Sequence, residues 1–145
     1  MKRKIMIGFI LTAITLLSAC AAKSVGIIPS SKTPGSAAAG AYHKITAEEA
    51  KNMMDSGGVT IVDVRRPEEY AEKHIPGAIL VSNETIAEKS GETLPDKDAV
   101  LLIYCRTGVR SKQASDKLIE LGYKNIYDFG GIVDWQYETE SGGTD

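Results

Sequence analysis

The sequence predicts an α/β protein, with a parallel sheet covered by helices on both faces. Three observations carry that expectation. From residue 42 onward, strand-like and helix-like segments alternate at short spacing. Residues 59–64 (VTIVDV) form a β-branched run, and residues 99–104 (AVLLIY) form an apolar run of strand length. Helix boundary signals fall between the strand-like runs, the clearest being Thr46 followed three residues later by Glu49.

The chain has 145 residues, about the size of one domain, and a formal net charge of −2. Its mixed, slightly acidic charge gives no basis for nucleic-acid binding. The first residues have a different character. Lys2, Arg3 and Lys4 precede an almost wholly apolar run from Ile5 to Leu17, then Ser18, Ala19 and Cys20. A basic start, an apolar core of this length and small residues after it read as a secretory signal, too short for a comfortable transmembrane helix. Leu17-Ser18-Ala19-Cys20 resembles the lipobox of bacterial lipoproteins. That resemblance implies removal of residues 1–19 and lipid modification of Cys20. The expected location is the cell envelope, exported and membrane-anchored. Residues 21–41 are rich in Ala, Ser, Gly and Pro without periodicity, and read as a flexible tether. As a random coil of that length the tether spans about 25 Å. The organisation expected is therefore a signal at 1–19, a lipidated tether at 20–41 and one domain at 42–145.

The domain's elements follow in order. Residues 42–45 form a short first strand. Thr46 and Glu49 cap a helix whose apolar face is Ala50, Met53 and Met54, and Gly57-Gly58 ends it. The strand at 59–64 is closed by Asp63 and Arg65, and Pro67 with Glu68 and Glu69 starts a short helix. A turn at 74–78 leads into a strand at 79–81. Asn83 is expected to cap a helix over 83–89. After the strand at 99–104, Ala114, Leu118 and Leu121 fall at helical spacing, with Gly122 as the stop. Residues 125–127 read as a last strand, Gly130-Gly131 as a tight turn, and 132–135 as a final short helix with Trp135 in the core.

The candidate functional stretch is Cys105-Arg106-Thr107-Gly108-Val109-Arg110, between the 99–104 strand and the helix after it. Ligands of open α/β sheets bind at the carboxyl ends of strands. A helix N-terminus offers unpaired N–H groups and partial positive charge, which favour a thiolate, and arginines add to the effect. Gly108 lets the backbone curl so that several N–H groups point inward. A free cysteine after a buried strand is most often an inert core residue. The two arginines, the glycine and the following helix set Cys105 apart from that default.

This loop resembles the active-site loop of the rhodanese family of sulfurtransferases. Three more matches stand in order: Asp63-Val64-Arg65 with Pro67-Glu68-Glu69-Tyr70; His74-Ile75-Pro76-Gly77-Ala78; and Gly122-Tyr123 with Gly130-Gly131-Ile132 and Trp135. The resemblance spans about residues 42 to 138. It implies a three-layer sandwich around a five-stranded parallel sheet, and catalysis by Cys105 through a persulfide. The implied donor is a small anion such as thiosulfate; the acceptor is cyanide or a thiol. Arg106, Thr107, Gly108, Val109 and Arg110 would bind or steer the donor, with Arg110 closing the loop or attracting anions. Asp63, Arg65 and His74 would be structural supports, so a Cys–His dyad with His74 is set aside. No metal or organic cofactor is implied. Two other readings are weighed. A phosphatase or arsenate reductase of related fold has five residues between cysteine and arginine, where this chain has four, Arg106 to Val109. A sulfur-carrier or binding module would use the same cysteine without turnover.

Overall fold

The computed structural model describes residues 41–143. Ten elements follow one another: β1 (Tyr42–Lys44), α1 (Ala47–Ser56), β2 (Val59–Asp63), α2 (Pro67–Glu72), β3 (Ile79–Leu80), α3 (Ile86–Thr93), β4 (Val100–Cys105), α4 (Val109–Glu120), β5 (Asn125–Gly131) and a 3-10 turn (Ile132–Asp134). The five strands form one parallel sheet in the order β1-β5-β4-β2-β3. Strand β4, which carries Cys105, is central.

Alternation along the strands divides the core in two. Leu101, Ile103 and Cys105 of β4 pack with Ile86 of α3 and with Ala114 and Leu118 of α4. Leu102 and Tyr104 pack on the other face with Ala50 of α1 and Tyr70 of α2. Helices therefore cover both faces, as the continuous apolar character of β4 requires. Thr46 caps α1 with both bonds of the capping box: its hydroxyl accepts from the Glu49 amide at 3.1 Å, and the Thr46 amide donates to Glu49 Oε2 at 2.7 Å. Pro67 occupies the first turn of α2.

Three expectations are corrected. Asn83 does not cap α3, which begins three residues later behind Thr85 and runs to Thr93. Its side chain is committed to tertiary partners: the amide donates to Gln113 at 3.1 Å, and Oδ1 accepts from the Lys117 ammonium at 3.1 Å. Gly130 and Gly131 are not a turn outside the sheet but the end of β5, which pairs with β4 through a register shift. Trp135 is only half-buried, resting against the edge of the second core cluster.

The buried charges behave as structural supports. Asp63 and Arg65 are both almost fully buried. The Arg65 Nη2 donates to Asp63 Oδ2 at 2.6 Å and to the Lys73 carbonyl at 2.5 Å, so the pair ties the end of β2 to the end of α2. Such a pair persists in a core only when each charge answers the other. His74 stacks on Tyr70 at 3.8 Å and donates from Nδ1 to the Tyr70 carbonyl at 2.8 Å. Its Nε2 faces the Glu140 carboxylate at 3.3 Å, and its backbone pairs with that of Glu140 through two bonds of 2.8 Å.

Candidate active site

Strand β4 delivers Cys105 to the carboxyl edge of the sheet, and α4 starts four residues later. The intervening chain turns tightly because Gly108 adopts φ 99°, a left-handed conformation natural to glycine. That turn brings the Gly108 N–H onto the Cys105 sulfur at 3.0 Å. Helix geometry leaves the N–H groups of Val109, Arg110 and Ser111 without acceptors inside α4. The result is a sulfur that accepts the Gly108 N–H beside a helix N-terminus with its partial positive charge. The buried Ser111 hydroxyl donates to the Gly108 carbonyl at 2.9 Å.

The loop rests on bare backbone. A Cβ on Gly131 would lie 2.3 Å from the Arg106 carbonyl oxygen and 2.7 Å from Thr107 Cα. A Cβ on Gly108 would touch Gly130 Cα at 3.5 Å. The Val133 amide donates to the Arg106 carbonyl at 3.3 Å. So the end of β5 forms the floor against which residues 106–108 are laid.

The two arginines part company. Arg110 makes a bidentate pair with Glu69 of α2, Nη1 to Oε2 at 2.6 Å and Nη2 to Oε1 at 2.8 Å. That hydrogen-bonded contact holds the Glu69 carboxyl down at about 2, although partial burial opposes the shift, and it raises the Arg110 guanidinium. That pair ties the head of α4 to α2 and answers the charge of Arg110. Arg106 is exposed and lines a cleft of about 290 Å³ with Glu72, Lys73 and Val133. Thr107 is exposed, and Val109 stands 64% exposed at the head of α4. Asp63 and Arg65 bond to each other and Arg65 to the Lys73 carbonyl, and both ring nitrogens of His74 are engaged with Tyr70 and Glu140 rather than the sulfur. Cys20, the expected leader at 1–19 and the expected tether as far as residue 40 lie outside the described residues, while Ala41, the last residue of that tether, is buried and its carbonyl accepts the Ile126 N–H at 2.8 Å. Sequence reasoning missed Glu69 as the partner of Arg110, having read it as a helix-start acid and part of a motif match, with no partner assigned. It also missed Gly131 as the floor of the loop.

A parallel α/β domain with a cysteine at the end of its central strand, just before the next helix, belongs to a class of α/β thiol domains. Comparison with known proteins is specific. The family model of the rhodanese-like domain matches residues 46–138. The chain belongs to the rhodanese family. It is 37% identical over 73 residues to the thiosulfate sulfurtransferase PspE of Escherichia coli (strain K12), covering 50% of this chain and 70% of that one. It is 32% identical over 96 residues to the thiosulfate sulfurtransferase GlpE of Coxiella burnetii (strain RSA 331 / Henzerling II), covering 66% and 88%. Among solved structures, a rhodanese with anions from E. coli superposes with a TM-score of 0.54 at 34% identity, over 57% of this chain and 98% of that one. A thiosulfate sulfurtransferase from Pseudomonas aeruginosa gives 0.63 at 27% identity, over 70% of this chain and 20% of that one.

Two outcomes follow from the geometry. Gly131→Ala must push the Arg106–Thr107 peptide aside, and displacement on the scale of 1 Å at a reacting centre costs about a hundredfold. Thiol-dependent activity should fall by about that factor while circular dichroism stays native. Glu69 titrates lower in the fold than in the unfolded chain, where a glutamate titrates near about 4.3. Its stabilisation is therefore present above that value and lost as pH falls toward about 2. Urea unfolding of Glu69→Gln and the parent should differ at neutral pH, and the gap should close on acidification through that window.

Proposed function

We propose that the protein is an exported sulfurtransferase working through a persulfide on Cys105. The observation that carries this reading is the Gly108 N–H held 3.0 Å from the Cys105 sulfur at the head of α4. Similarity to enzymes named thiosulfate sulfurtransferases supports thiosulfate as a donor.

The steps balance as a double displacement. The Cys105 thiolate attacks the outer sulfur of thiosulfate; a sulfur–sulfur bond forms to Cys105, and the bond to sulfite breaks with its electron pair leaving on sulfite. The persulfide then gives its outer sulfur to cyanide, forming thiocyanate, or to a thiolate, forming a new persulfide, and Cys105 returns as thiolate. The loop amides stabilise the negative sulfur and the donor's oxygens throughout. Arg106 draws anions to the mouth, Thr107 and Val109 shape it, and Arg110 pins the loop to α2. Four residues between Cys105 and Arg110 make a narrower cradle than five, which suits a sulfur atom better than a tetrahedral phosphate.

The basic start, apolar run and Leu17-Ser18-Ala19-Cys20 support placement in the envelope of a bacterium, with the domain held at a membrane by lipid on Cys20.

The test is direct. Thiosulfate should add one sulfur to the purified protein by intact mass, and cyanide should remove it repeatedly as thiocyanate. Cys105→Ala should abolish both while the fold persists, since the change removes one small buried atom; activity surviving in this variant would sink the mechanism. One sulfur accepted without turnover would mean a carrier, and aryl phosphate hydrolysis lost in the same variant would mean a phosphatase. Separately, Cys20→Ser should shift the protein from the membrane fraction, leaving turnover per molecule intact. A variant that keeps the parent's lipid-dependent detergent partitioning would refute the anchor.

A further inference from the structure

Asp128 is 1% exposed and stands at the middle of β5, three residues before Gly131. Its Oδ1 accepts the Gly130 N–H at 2.9 Å, two residues on, closing a turn of the kind that aspartate makes with its own backbone. The remaining partners come from β1: the Tyr42 hydroxyl donates to Oδ2 at 2.9 Å, and the Lys44 ammonium sits 3.3 Å from Oδ1.

The turn falls where the pairing of β4 with β5 changes register. Ile103 faces Asp128, but Tyr104 faces Gly130 and Cys105 faces Gly131, so Phe129 is an extra residue. A bulge of this kind re-aims everything beyond it. Gly130 takes φ 89° within it, and Phe129 packs its ring against Tyr104 and Trp135. Had the register run on unbroken, Cys105 would face Gly130. Gly131, the residue whose missing Cβ admits the Arg106–Thr107 peptide, would lie one step too far along.

We propose that Asp128 is a positioning residue for the active-site loop: its bond to the Gly130 N–H holds the bulge that sets Gly131 beneath residues 106–107. Tyr42 and Lys44 anchor β1 to the same carboxylate but take no part in setting the register. The catalytic side of this inference rests on the sulfur-transfer reading above; the structural side does not.

The experiment compares Asp128→Ala, Asp128→Asn and Tyr42→Phe by thiocyanate formation and by hydrogen exchange of peptides from the loop and the sheet. Asp128→Ala should lower kcat by about tenfold, a fraction of the loss expected for a full 1 Å displacement. It should also speed exchange at residues 106–110 more than in β2 or α1. Asp128→Asn keeps an oxygen for the Gly130 N–H and should restore most of both. Tyr42→Phe should leave kcat and loop exchange at parental values. If Asp128→Ala does not fold, Gly130→Ala breaks the same turn from the donor's side, where the new methyl meets only the flexible end of Lys44. It should then show the same pattern. Parental kcat and loop exchange in the folded alanine variant would overturn the proposal, as would Tyr42→Phe falling as far as Asp128→Ala. If the parent itself moves no sulfur, the sulfurtransferase reading fails on its own, and the exchange comparison still decides the role of Asp128.

Discussion

Two stretches of main chain touch in this protein without a side chain between them: the end of β5 at Gly131 and the peptide joining Arg106 to Thr107. A methyl group on Gly131 would overlap the Arg106 carbonyl oxygen at 2.3 Å, so the contact exists only because that position is glycine. Much else is arranged around it. Gly108 lies on the same floor, where an added Cβ would meet Gly130 Cα at 3.5 Å, and it donates its N–H to the Cys105 sulfur at 3.0 Å. The Val133 amide fixes the same carbonyl from the far side. Cys105 is thus placed by backbone geometry, which side-chain motion does little to disturb.

Around this centre, charge is used to fasten rather than to attract. Asp63 with Arg65 joins the end of β2 to the end of α2, and Glu69 with Arg110 joins α2 to the head of α4. Helix α2 is only six residues long, too short to be stable alone. It is held by bonds at both ends and by Tyr70, whose hydroxyl donates to the Ala78 carbonyl at 2.7 Å and whose ring stacks on His74. His74, which its chemistry makes an obvious candidate for a base, is occupied in this scaffold.

The parts of this fold that were legible in the sequence are those decided by neighbours in the chain. The capping box of Thr46 and Glu49, the placement of Pro67 in α2 and the apolar run of β4 are local facts, and the structure bears them out. The failures are places where a partner distant in sequence prevailed. Asn83 has the composition of a cap, but Gln113, thirty residues away, claims its side chain. Two consecutive glycines read naturally as a turn, whereas here they are strand residues that let another loop approach. Glu69 and Arg110 lie 41 residues apart, and no local signal joins them. Cys105 was legible because strand, cysteine, glycine and helix follow one another without interruption; the floor beneath it was not.

The pairing of Arg110 with Glu69 has a consequence for how the site responds to its medium. With that guanidinium neutralised, an anion seated beside Cys105, as the proposed donor would be, would be gripped mainly by amide dipoles at contact distance, far inside the Debye length of about 8 Å at physiological ionic strength. Mobile ions hardly screen forces over so short a range. Arg106, out in solvent, acts across longer distances that salt does screen. The architecture thereby separates two quantities that a cluster of free arginines would couple. For the proposed donor, the rate of arrival would depend on ionic strength, while the grip on it once seated would be nearly independent of it.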